Sequence, residues 1–292
     1  MWEVTDTFND FLIYWATACS KPLPEQIELW QTSYMAKYPE LLEKQLEDYG
    51  GQGLDWRDIA TERVFPKLAE HLPLMRKARD NLLKVCGSIY EQAAQVLGFD
   101  FDITFVIYVG LGCGAGWATQ YGGRPACLFG LENIAECEWH HQARLRGLTA
   151  HELGHLAHMA WRNEWDSFAK AERDPLFLLY SEGFAQRCEH LILGCETWHQ
   201  MQSENWPSWC QQHKAWLAKE YLRRVDEGIA VNDFFGSWLD IQGRRQTGYF
   251  LGHEFIRWLE KEHDMRKIST FTFQNVKEPT VEYLRLVADE FA

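Results

Sequence analysis

Two histidines and a glutamate near the middle of the chain have the spacing of a metal-dependent hydrolase. Residues 151–155 read HELGH. If this segment is helical, His151 and His155 leave one face about one turn apart, and both imidazoles can bind a single ion. Glu152 lies beside them and can hold a water molecule and take a proton from it. The pattern predicts a zinc site with two histidine ligands, one open position and a carboxylate base.

The residues around this motif favour a buried helix. From position 148 to 161 most residues are Leu, Ala, Met or Trp, and a helix that is apolar on all sides is buried. A glutamate inside such a helix is costly unless it is paired or takes part in chemistry. The alternative is a solvated helix with incidental histidines, but that helix would carry charge on its outer face. We therefore expect a zinc site.

The third ligand is expected among the acidic residues that follow. Asp174-Pro175 has the form of a helix start, and Gly194 has the form of its end. Glu182 falls in the middle of this helix between two apolar faces, so we expect a half-buried carboxylate that needs a partner. Zinc is one such partner, and an ion pair with an arginine in the core is the alternative. Glu189, further along the same helix, is the second choice.

Two residues near the C-terminal end could stabilise the oxyanion that forms when a peptide carbonyl is attacked. Tyr249 and His253 are four residues apart in a predicted helix over 247–262, and so share a face. We predict Tyr249 as the donor, with His253 beside it. The alternative is an ordinary core tyrosine.

Three blocks of sequence resemble known zinc peptidases. Residues 180–185 (YSEGFA) resemble the second-helix motif of gluzincins such as aminopeptidase N, in which the glutamate before glycine completes the zinc site. The glycine-rich segment at 109–134, the HELGH helix with SEGFA after it and the TGYFLG segment at 247–252 together resemble a family of predicted zinc-dependent proteases, the YjaZ-like domain of unknown function. The resemblance covers residues 100–260, although the interval before the glutamate is longer than in the aminopeptidases.

This resemblance implies a zincin-like core and one Zn²⁺ ion bound by His151, His155 and Glu182. It also implies hydrolysis of a peptide or protein substrate, with Glu152 as the general base. A non-catalytic protein that zinc only stabilises is an alternative from another class. A nucleotide-binding oxidoreductase is a third possibility, because residues 110–115 match the GxGxxA fingerprint after a strand.

The pattern of the whole chain predicts a mostly helical α+β fold. Apolar residues at three- and four-residue spacing predict helices in a region of residues 1–100. A run rich in β-branched and aromatic residues then predicts a strand at 101–109, followed by a flexible glycine-rich hairpin. Residues 126–131 are expected to form the edge strand that pairs with substrate. The catalytic region is predicted to span 101–292, with the small sheet packed against the HELGH helix.

Composition excludes some partners and suggests a compartment. The chain has 29 Lys and Arg against 42 Asp and Glu, a net charge of −13. Nucleic acid and anionic membranes are bound mainly through Lys and Arg, so neither is an expected partner. The 8 cysteines include no CxxC pair, and the N-terminus is acidic where a secretory signal is basic. Reduced thiols and a cytoplasmic protein are expected.

Overall fold

A four-stranded sheet lies among helices in the computed structural model, which describes residues 1–165 and 167–289. This confirms the predicted mostly helical α+β class. The strands are β1 (Trp2–Asp6), β2 (Ile103–Tyr108), β3 (Trp117–Tyr121) and β4 (Arg124–Gly130). The α-helices are α1 (Phe8–Ala18), α2 (Leu23–Leu29), α3 (Pro39–Gly51), α4 (Trp56–Ile59), α5 (Leu68–Leu97), α6 (Leu131–Glu136), α7 (Gln142–Arg162), α8 (Phe168–Ala171), α9 (Pro175–Leu193), α10 (Trp206–Gln212), α11 (Lys214–Glu227), α12 (Thr247–Leu259), α13 (Met265–Ser269) and α14 (Phe273–Asp289).

The chain divides into two compact units, residues 1–152 and 153–292, and the boundary falls inside α7. The first unit contains the sheet, α1 to α6 and the first half of α7. The second contains the rest of α7 and the helices from α8 onward. The division near residue 100 that the sequence suggests is a different partition, and it stays a prediction.

The sheet of the first unit has the order β1-β2-β4-β3. β1, β2 and β4 are parallel, and β3 is antiparallel to β4. All six residues of β2 are buried, as expected for an apolar strand inside a mixed sheet. The strand predicted at 101–109 is therefore confirmed.

The edge strand next to β4 differs from the prediction. Residues 126–131 overlap β4, which lies inside the sheet between β2 and β3. β3 forms the edge, and it lies in the segment that was predicted to be a glycine-rich hairpin. Gly122 and Gly123 connect β3 to β4 with φ values of 59° and 73°. A two-residue turn with both φ values positive suits a tight β-hairpin.

The first residues of the chain form the opposite edge. β1 pairs in parallel with β2, and Trp2 lies opposite Ile103. The predicted helical region 1–100 therefore also contains a strand. Parallel neighbours need a long crossover, and helices α1 to α5 provide it. The segment between α2 and α3 is also tied to the end of β2, because Trp30 Nε1 donates to the Val109 carbonyl at 3.1 Å and the Val109 amide donates to Tyr34 Oη at 3.1 Å.

The glycine-rich segment after β2 is held by buried side chains. The amides of Gly110 and Gly112 donate to the two carboxylate oxygens of Glu132, at 2.7 and 2.9 Å. The Leu111 amide donates to Gln45 Oε1 at 3.0 Å. The amides of this part of the loop therefore have specific buried acceptors. The hairpin predicted between the strands at 101–109 and 126–131 is wrong, because β2 and β4 are parallel.

The second unit is organised by glycines at helix crossings. A Cβ atom on Gly183 in α9 would lie 2.2 Å from the backbone carbonyl group of Gly252 in α12. A Cβ on Gly154 in α7 would lie 3.0 Å from the Cα of Ala185 in α9. Each of these glycines belongs to one of the motifs HELGH, SEGFA and GYFLG. The motifs therefore encode close helix packing as well as chemistry.

Helix α9 begins and ends as the sequence predicts. The Asp174 carboxylate accepts hydrogen bonds from the amides of Leu176 and Phe177, which makes it the N-cap. Gly194 ends the helix with a φ of 71°. The position of Glu182 in the middle of a helix is confirmed.

None of the eight cysteines forms a disulfide. No helix in the described ranges is both long enough and apolar enough to cross a membrane.

The Glu132 carboxyl should make stability depend on pH. Burial raises its pKa to about 6 from an ordinary 4.5. A raised carboxyl pKa contributes stability that is fully present below pH 4.5 and is lost as the pH rises through about 6. Relative to Glu132→Gln, the free energy of unfolding of the wild type should increase by about 2 kcal/mol between pH 7 and pH 4.5. Denaturant titrations at these pH values measure it, and a difference that does not change with pH would contradict it.

Replacing Gly183 should damage the second unit. Gly183→Ala places a methyl group against the backbone of α12, so the helices must separate. We expect a loss of at least about 2 kcal/mol in the free energy of unfolding. Gly50→Ala is the matched control: Gly50 lies on the exposed side of α3 with no atom within 4 Å of the new methyl group, and alanine there should stabilise by about 0.5–1 kcal/mol. Equal effects of the two substitutions would show that the crossing is not tight.

Candidate metal centre

Helix α7 presents the HELGH residues on one continuous, buried helix. It runs without interruption through residues 151–155, so His151 and His155 lie one turn apart on the same face, as predicted. Both side chains are buried. The third histidine of the helix, His158, is fully buried, and its Nε2 lies 3.1 Å from Tyr180 Oη. His158 therefore belongs to the core.

Glu182 of α9 faces His155. Its Oε2 lies 3.3 Å from His155 Nε2, and its side chain is half-buried. The half-buried position was predicted. The packing of Gly154 against Ala185 brings α7 and α9 close enough for the two side chains to meet.

His151, His155 and Glu182 form a group that can bind one ion. Each offers one ligand atom, and the three atoms lie within 4.8 Å of one another. Zinc binds imidazole nitrogen and carboxylate oxygen at about 2.0–2.2 Å, so donor atoms in a tetrahedral site lie about 3.3–3.5 Å apart. The distance between His155 and Glu182 matches this value. The three predicted ligands are thus brought together, and their donor types fit zinc.

A second group contains His151, Glu189 and His199. Its three ligand atoms also lie within 4.8 Å of one another, and all three residues are buried. This buried cluster could hold a metal ion. Glu189 was the second choice from the sequence, whereas His199 was not selected. His199 lies in an irregular segment after α9, where no periodic spacing indicates which side chains face inward.

Glu189 is fully buried, and both of its carboxylate oxygens have specific partners. His199 Nδ1 lies 2.7 Å from its Oε2, and Thr197 Oγ1 donates to its Oε1 at 2.9 Å. Buried carboxylates are stable only with partners of this kind.

Glu152 packs against the backbone of the glycine-rich segment. The residue is 5% exposed, and a Cβ atom on Gly116 would lie 2.3 Å from Glu152 Oε1. Burial raises the pKa of the Cys127 thiol in β4, and the negative charge of Glu152 raises it further. The carboxylate therefore lies close to the sheet of the first unit. The sequence gave no reason to select Gly116, because its importance comes from a contact with a distant residue.

Glu172 is a further acid, and it lies just before α9 in the chain. Ser181 Oγ donates to its Oε1 at 2.7 Å. Burial raises the pKa of Glu172 to about 7; the charge of His155 acts to lower this pKa, and that of Glu182 to raise it. It was not selected from the sequence, because it lies before the helix that carries Glu182.

Tyr249 and His253 both lie in α12, as predicted, but their surroundings differ. The half-buried Tyr249 ring is edge-on to the His199 ring at 6.4 Å. His253 is buried, with its ring 4.5 Å from that of His190 and 5.1 Å from that of Trp198. Tyr249 therefore lies beside the second group, whereas His253 lies in an aromatic cluster. Their catalytic roles stay predictions.

The chain matches no family model, and no curated protein or solved structure is significantly similar to it.

Removing Glu182 should weaken metal binding. Glu182→Ala deletes one of three donors, so zinc affinity should fall by more than about 100-fold, since loss of an outer partner alone costs 10- to 100-fold. Metal analysis after dialysis against a weak chelator measures the zinc that remains. Glu278→Ala, at an exposed acid of α14, should retain one equivalent. Unchanged zinc content in Glu182→Ala would show that another residue is the ligand.

Proposed function

We propose that this chain is a zinc-dependent peptidase of the gluzincin type, with a zincin-like core and a peptide or protein substrate. The observation that carries the proposal is the meeting of His151, His155 and Glu182, with Glu152 next to the two histidines on α7. The cytoplasmic location expected from the cysteines belongs to the same proposal.

The first task of these residues is to hold the ion and leave space for substrate. His151 and His155 would supply nitrogen donors from α7, and Glu182 an oxygen donor from α9. Three protein ligands leave one position open, as in catalytic zinc sites. When bound, zinc supplies Lewis acidity, which lowers the pKa of water and polarises a carbonyl group.

Glu152 would move the proton. It accepts a proton from the attacking water as the water oxygen bonds to the peptide carbon. It then gives that proton to the amide nitrogen as the carbon–nitrogen bond breaks. Burial and the contact with Gly116 restrict its carboxylate to one place, which favours proton transfer at a fixed position.

Tyr249 would donate a hydrogen bond to the developing oxyanion. It is half-buried and lies beside His199. His253 is enclosed by His190 and Trp198, which makes it less suited to contact a substrate. We therefore keep Tyr249 as the proposed donor.

A zinc-stabilised binding protein is the second candidate, and one observation favours it. The second group is buried at all three residues, and closed sites without an open position are typical of structural zinc. The oxidoreductase alternative loses its basis, because the amides of Gly110 and Gly112 that would bind a phosphate already donate to Glu132.

Glu152→Gln separates the two candidates. The variant keeps the side-chain shape but cannot accept the proton, so peptide hydrolysis should fall by about 10²- to 10⁴-fold while one zinc ion stays bound. Digestion of a peptide library, with metal analysis of the same samples, measures both. Hydrolysis that continues unchanged would refute the mechanism. Zinc binding without turnover in the wild type would support the binding protein.

Gly116→Ala tests the same carboxylate without altering it. The new methyl group would occupy the position of Glu152 Oε1, so hydrolysis should fall while zinc content stays at one equivalent. Gly50→Ala is again the control, and its activity should equal that of the wild type.

A further inference from the structure

Glu189 is a buried carboxylate to which the proposed mechanism gives no task. It lies seven residues after Glu182 in α9, and positions seven apart in a helix share a face. Its side chain is fully buried. His199 and Thr197 each contact one of its two oxygens.

The segment that supplies these two partners is itself fixed to α9. The Thr197 carbonyl lies 3.0 Å from Gln186 Nε2, which donates to it, and 2.6 Å from His190 Nε2. Gln200 Nε2 donates to Gln186 Oε1 at 2.8 Å. Residues 197–200 are therefore tied to two successive turns of the helix, which fixes the orientation of the Glu189 carboxylate.

The two metal-binding groups share His151. One neutral imidazole binds one ion through one nitrogen, so the two groups do not describe two ions. A histidine that binds a metal usually gives its other ring N–H to a carboxylate, which fixes the tautomer and the orientation of the ring. A single ion therefore accounts for both groups if one of them supplies ligands and the other supplies this carboxylate.

The surroundings of Glu182 and Glu189 indicate which group supplies the ligands and which supplies the outer carboxylate. Glu182 is half-buried and faces His155, so an ion there has room for an open position. Glu189 is fully buried, and each of its oxygens already has a partner. A carboxylate oxygen has two lone pairs, so Glu189 can still accept an N–H from His151.

We propose that Glu189 is a positioning residue of the metal centre, which accepts the N–H of His151 on the side away from the ion. His199 and Thr197 hold its carboxylate in place. This inference rests on the zinc site in the proposed function, but it does not depend on peptidase activity.

The test compares two glutamate variants of the full chain for zinc alone. Glu189→Gln should retain one zinc ion with an affinity about 10- to 100-fold weaker, whereas Glu182→Gln should lose stoichiometric binding. Competition with a chromophoric chelator measures the affinity. The visible absorption bands of the cobalt(II) form should keep their intensity in Glu189→Gln, because the intensity depends on the coordination number, which stays the same. The maxima of these bands should shift.

Two results would overturn the proposal. If Glu189→Gln loses stoichiometric zinc and Glu182→Gln keeps it, Glu189 is a ligand. If Glu189→Gln leaves both the affinity and the cobalt spectrum as in the wild type, Glu189 only stabilises the fold. Failure of the wild type to hydrolyse peptides would refute the proposed function and leave this inference intact.

A milder variant tests the same proposal if Glu189→Gln does not fold. Thr197→Val removes one donor to the carboxylate and keeps the volume and charge. Zinc affinity should then fall about fivefold, the effect of one hydrogen bond, with one ion still bound. An affinity equal to that of the wild type would count against the proposal.

Discussion

The close approach of α9 to its neighbours is the constraint on which the candidate site depends. Gly183 lets the α9 backbone touch that of α12, and Gly154 lets α7 lie against Ala185. Because α7 and α9 meet closely at Gly154, the Glu182 carboxylate can reach His155 across the contact. A larger residue at Gly154 would push α7 and α9 apart and lengthen the distance between these two side chains. Packing and chemistry are therefore encoded in the same short motifs.

Buried and half-buried carboxylates are the second theme of the structure, and each has a defined environment. Glu132 accepts backbone amides, and Glu189 is held by His199 and Thr197. Glu182 faces an imidazole, and Glu152 lies against a glycine backbone. The net charge of −13 gives no sign of this arrangement, because charge counts do not distinguish surface acids from these few. A buried acid needs a specific partner, so each one marks a place where the fold is defined by polar contacts.

Prediction from the sequence worked best where the signal was local. The HELGH helix, the capped start of α9 at Asp174, its end at Gly194 and the apolar strand β2 all follow from short local patterns. It failed where partners are distant in sequence or the local pattern is dominated by glycine. β1 is recognised only by its pairing with β2, and β3 lies in a glycine-rich segment and is recognised by its antiparallel pairing with β4. His199 gave no signal, because an irregular segment has no periodicity to show which face is buried.

The sequence by itself determined the donor types and their local geometry: two histidines one turn apart, a carboxylate beside them and a second carboxylate in the middle of a later helix. Only the tertiary structure decided which acid faces which histidine. It placed Glu182 against His155 and enclosed Glu189 with His199 and Thr197, although the sequence offered both glutamates as ligands. The physical reason is that helix periodicity fixes positions within one helix, whereas the crossing of two helices depends on side-chain volume at the contact. That volume is smallest at the glycines, whose partners lie on other helices.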